Sequence, residues 1–266
     1  MTVEEESPET DDLRLQQLDN NIFFGSCEVL AQPILLQYEN IKFIIGVNLT
    51  TEKIASFYTV YFQHSNSLIV NFDSSSTQET IETPVELYNR NNTILLQKFV
   101  SQYLQMGKTN TPLSLTRFGK IQSLPQFCNS NVLTGEPLVQ YQAFNDLLTL
   151  FKSFKHLGNI LVVSSHSHDP TLIKFLVSRV IACHPSVTIQ ESLQYTRAIL
   201  NLPINACDEF DILNDKGLQE LAQAPELLQQ RSKCSSKRRC GNLPENYFVD
   251  NKSLTGPSEH IKRGHF

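Results

Sequence analysis

A chain of 266 residues, 40% hydrophobic and 18% charged, holds enough apolar material for one good core with appendages; two domains are possible but not required. Its formal charge of −5 speaks against a nucleic-acid binder overall, and no apolar run reaches the roughly 18–20 residues needed to cross a bilayer. The first dozen residues are acidic, unlike a secretory or mitochondrial leader, and the six cysteines are scattered, so reduced thiols in the cytosol or nucleus are expected.

Residues 1 to about 17 are acidic and nearly free of large apolar side chains, which predicts a disordered N-terminus. Asn21 to Ser26 reads as a short strand ending in a turn. Glu28 to Tyr38 has helical spacing through Val29, Leu30, Ile34 and Leu35, with Pro33 marking a boundary or a first-turn position. Lys42 to Asn48 is a buried strand by its β-branched and aromatic content, and Tyr58 to Gln63 and Leu68 to Phe72 are two further strand candidates. From Pro84 to Gln140 the pattern is less regular. Ile94 to Met106 can form a helix with Leu95, Phe99 and Tyr103 on one face, and Lys108 to Pro137 reads as a long surface loop.

Tyr141 to His156 is amphipathic through Phe144, Leu147, Leu148, Phe151 and Phe154, and Gly158 is placed to end it. An apolar strand, Ile160 to Val163, then enters a polar loop, Ser164-Ser165-His166-Ser167-His168-Asp169, from which a helix runs through Leu176 and Val180. Thr188 opens the next helix, to Leu200, with Glu191 three residues on in a capping-box spacing. A last helix is expected over roughly Asp208 to Gln230, and the basic, polar composition from Arg231 onward predicts an unfolded tail. Strands alternating with helices predict an α/β fold, a central sheet flanked by helices. The loop at 164–170 leads a strand into a helix N-terminus, where backbone N–H groups converge and an anion such as phosphate is well placed.

Several pieces, in order, resemble a dual-specificity (protein tyrosine) phosphatase domain. Asn21 to Ser26, Ala31 and Ile41 to Asn48 look like its opening. Leu68 to Asp73 is similar to the strand that delivers the family's general-acid aspartate, which would make Asp73 that position. Gly158 to Val163 resembles the strand before the catalytic loop, Asp169-Pro170-Thr171-Leu172 the helix behind it, and Glu191 to Tyr195 the helix after that. The resemblance covers roughly 18–225, within a domain expected over 18–230 with an insertion at about 85–138.

The family's reaction needs a low-pKa cysteine thiolate, an arginine that clamps phosphate, and an aspartic acid. Counted from the strand, Ser164 stands where the cysteine belongs; counted from the helix, His168 stands where the arginine belongs. No cysteine lies between Cys128 and Cys183 and no arginine between Arg117 and Arg179, and Asp169 adds a negative charge. A serine hydroxyl is no anion near neutral pH, and a histidine offers no fork of donors.

The resemblance therefore implies a pseudophosphatase. It would be a binding or regulatory module whose degraded phosphate loop comprises Ser164, Ser165, His166, Ser167, His168, Asp169 and Thr171, with phosphoproteins or kinases among its protein partners. No cofactor is expected. His166-Ser167-His168-Asp169 also invites comparison with the His-x-His-x-Asp-His metal motif of metallo-β-lactamase-type hydrolases. Asp169 follows His168 directly and the last histidine is missing, so no metal is expected either. A histidine- or metal-dependent hydrolase centred on His166 and His168, and a purely structural subunit, stay as alternatives. The basic cluster Arg231, Lys233, Lys237, Arg238 and Arg239 fits a nuclear-localisation or phosphate-docking patch, which makes the expected location cytoplasmic or nuclear.

Overall fold

Among the residues the structure describes, six strands form one sheet, lying side by side in the order first, second, sixth, third, fourth and fifth along the chain. A computed structural model describes residues 15–73, 83–108, 121–184, 186–200, 216–217 and 219–223. In chain order the strands are β1 (Gln16–Asp19), β2 (Ile22–Ser26), β3 (Ile41–Val47), β4 (Leu68–Phe72), β5 (Val132–Leu133) and β6 (Asn159–Ser164). The helices are α1 (Pro33–Tyr38), α2 (Thr51–Phe57), α3 (Thr83–Lys108), α4 (Leu124–Asn129), α5 (Pro137–Ser153), α6 (Pro170–Cys183) and α7 (Ile189–Ile199). β1 pairs antiparallel with β2, and every other pairing is parallel. The α/β class read from the alternation of strands and helices is what the chain adopts.

The sheet buries both faces, as a largely parallel sheet must. On β3, Phe43 and Ile45 join Phe24, Val70 and Val162 on one face, packed under α5 and α6. Ile44 joins Ile69, Leu161 and Val163 on the other, covered by residues of α1 and α2. The alternation of strand side chains divides the core in two, which is why these strands read as unbroken apolar runs. Phe43 stacks on Phe151 at 4.5 Å, tying α5 to the centre of the sheet.

Local signals set most boundaries. Pro33 occupies the first turn of α1, after a 3-10 turn over Cys27–Ala31. Gly158, with φ 154, turns the chain from α5 into β6, and a Cβ there would lie 2.6 Å from the Asn40 carbonyl oxygen. Thr188 and Glu191 form the reciprocal capping box at the start of α7.

Three expectations are corrected. Tyr58 to Gln63 is not a strand: Tyr58–Phe62 continues α2 as a π-helical segment. Thr50 caps α2, and Ile54, Ala55, Tyr58 and Phe62 fall on one buried face at helical spacing. The less regular reading of 84–140 holds only in part: the helix expected over Ile94 to Met106 is present, but within a longer one. α3 runs 26 residues, placing Tyr88 in one half of the core and Leu96, Phe99, Val100 and Tyr103 in the other. Asn92 Oδ1 accepts from the Ile69 backbone at 2.8 Å, fixing α3 to β4. Within the expected surface loop of 108–137, α4 forms and β5 joins the sheet, because Asn71 N–H donates to Asn131 O and Asp73 N–H to Leu133 O. Lastly, the N-terminal segment read as disordered to about 17 contributes Gln16 and Gln17 to β1. The helix expected over 208–230 falls mostly outside the described residues, and the basic tail falls wholly outside them.

Gly46 is explained by its neighbour in the sheet. It pairs with Asn71 of β4, and a Cβ at position 46 would stand 2.4 Å from Asn71 Oδ1. Asn71 is wholly buried and held by its Nδ2, which donates to Leu49 O at 2.9 Å. Gly46→Ala should therefore cost about 1–3 kcal/mol through overpacking, read as a lower urea midpoint with unchanged slope.

Candidate functional site

The carboxyl ends of β2, β3, β4 and β6 lie side by side, and the chain leaves β6 through the loop singled out in the sequence. Ligand crevices in open α/β sheets form at such an edge. Ser164 ends β6 opposite Ser26 and is completely buried. Ser165, His166 and His168 are exposed, whereas Ser167 and Asp169 are buried. The Asp169 N–H donates to His166 O at 3.2 Å, closing the loop, and Ile173 N–H donates to Asp169 O at 3.0 Å, starting α6.

Asp169 is the centre of the arrangement, only 3% exposed. As N-cap of α6, its Oδ1 accepts from Thr171 N–H at 2.7 Å. Its Oδ2 accepts from Ser164 Oγ at 2.7 Å and from Asn48 Nδ2 at 3.0 Å. One carboxylate thus joins the ends of β3 and β6 to the start of α6. Burial pushes the Asp169 carboxyl up, but hydrogen bonds from Asn48, Ser164 and the backbones of Thr171 and Leu172 outweigh it and hold the group below its ordinary range.

Asn48 has no place among the residues singled out from sequence. It follows β3 with φ 55, the left-handed conformation that asparagine tolerates better than most residues. Its N–H donates to Phe72 O at 3.1 Å. The available signal was an asparagine at the end of a buried strand; its partner lies 121 residues away.

Asp73 follows β4 at the same edge and is 6% exposed. Its Oδ2 accepts from Thr51 N–H at 2.9 Å and Thr51 Oγ1 at 2.5 Å, so this oxygen helps hold the start of α2. Among the described cysteines, Cys27, just after β2, approaches the loop, with Sγ 3.8 Å from Ser165 O and 3.7 Å from Glu28 Oε1. It is fully buried, and burial pushes its thiol up despite the nearby Lys53 ammonium. A buried thiol with a raised pKa is a poor nucleophile, so Cys27 does not stand in for the cysteine that position 164 lacks. Among the described residues, no three His, Cys, Asp or Glu side chains gather as a metal ion needs, and no helix is long and apolar enough to cross a membrane.

Fold and loop together define an α/β protein with a mixed six-stranded sheet and a polar strand-to-helix loop at its carboxyl edge. The chain belongs to the YAL037W family: residues 13–167 match the model of the YAL037W N-terminal domain, and 168–241 that of the YAL037W C-terminal domain. It is 64% identical to the Saccharomyces cerevisiae protein YAL037W, over 100% of this chain and 99% of that one. It is 29% identical to YOR342C of the same organism, over 73% of this chain and 71% of that one.

Among solved structures, it is similar to a mouse dual specificity phosphatase complexed with zinc tungstate, at 8% identity and a TM-score of 0.40, covering 86% of this chain and 96% of that one. It is also similar to human DUSP28, at 10% identity and a TM-score of 0.37, covering 81% of this chain and 95% of that one.

Proposed function

We propose that this chain is a catalytically inactive phosphatase-like protein, acting as a binding or regulatory module in phosphorylation-dependent signalling. The observation that carries the reading is the Asp169 carboxylate, seated between Ser164, Asn48 and the start of α6 where a phosphate would have to bind. Two unit charges about 4 Å apart at an effective dielectric constant of about 20 interact by about 4 kcal/mol. A phosphate monoanion beside this carboxylate would lose roughly a thousandfold in affinity on that ground alone. Ser164 supplies a buried hydroxyl instead of a thiolate and spends its proton on Asp169.

Partners of such a module are proteins, phosphoproteins or kinases among them, engaged by surfaces other than a working phosphate pocket. The basic cluster Arg231, Lys233, Lys237, Arg238 and Arg239 supports a cytoplasmic or nuclear location for such a module. The test is turnover of a phosphotyrosine peptide by the purified full-length chain. The expected rate equals that of the Ser164→Ala variant. Hydrolysis that either Ser164→Ala or Asp73→Ala abolishes would overturn the reading.

A further inference from the structure

We draw no further inference here: the strongest candidate, the apolar surface patch that the exposed Ile34 and Tyr38 form about one turn apart on α1, carries nothing because nothing among the described residues shows what covers it.

Discussion

Replacing Phe175 with alanine should lower stability by about 3–5 kcal/mol, the usual cost of deleting a buried aromatic ring. Phe175 projects from α6 into the sheet's larger core, with ring centroids 5.0 Å from Phe72, 5.0 Å from Phe144 and 5.2 Å from Tyr141, each edge-on. Phe72 lies on β4, and the other two on α5. These partners fall in the region matched by the N-terminal family model, while Phe175 falls in the C-terminal one. The boundary between the two models, at 167/168, passes through the candidate loop. Urea unfolding of Phe175→Ala should show a much lower midpoint. Residues 13–167 expressed alone should lack a cooperative transition, because the cavity left by α6 opens their core. A cost under about 1 kcal/mol, or a cooperative N-terminal fragment, would mean that the two regions are separate folding units.

Asp169→Asn carries the second large effect, about 2–3 kcal/mol at neutral pH. The amide can still accept, but its NH2 would face the Ser164 and Asn48 donors if the remaining oxygen caps Thr171. The loss should depend on pH in a set direction. The folded-state pKa of Asp169 lies below the unfolded value of about 3.9, so its contribution is complete above that value and disappears as pH falls through the folded one. Wild-type and variant urea midpoints should therefore stand well apart near pH 7 and approach each other in acid, below about pH 4. A gap that stays constant across that range would show that the ionised carboxylate is not what the loop depends on.

The parts of this fold legible in the sequence are those with local causes. β3, β4 and β6 announce themselves as short, largely apolar runs rich in isoleucine and valine. Pro33, Gly158 and the Thr188–Glu191 pair mark boundaries through backbone chemistry that neighbours three or four residues away complete. Tyr58 to Phe62 misleads because aromatic and β-branched residues favour strands only when nothing upstream has started a helix, and Thr50 has. The first half of α3 is obscured by Asn89, Asn91 and Asn92, weak helix formers. Burial of Tyr88 and the bond from Asn92 to β4 override that preference through contacts with distant residues. At the candidate site, the Ser164-to-Asp169 loop was legible as strand, polar turn and helix start. That its aspartate turns inward was not, because the deciding donor, Asn48, arrives from another strand.

The two ends of the sheet bear on how copies of this chain behave at high concentration. Its long apolar strands, β3, β4 and β6, each have a neighbour on both sides. Among the described residues the outer positions go to β1, four residues with an irregular register between Gln17 and Asp19, and to β5, only two residues long. Short or irregular borders give a second molecule few consecutive backbone groups on which to add a strand. A chain with strands this apolar can thus fold around them and still resist growing into a continuous intermolecular sheet.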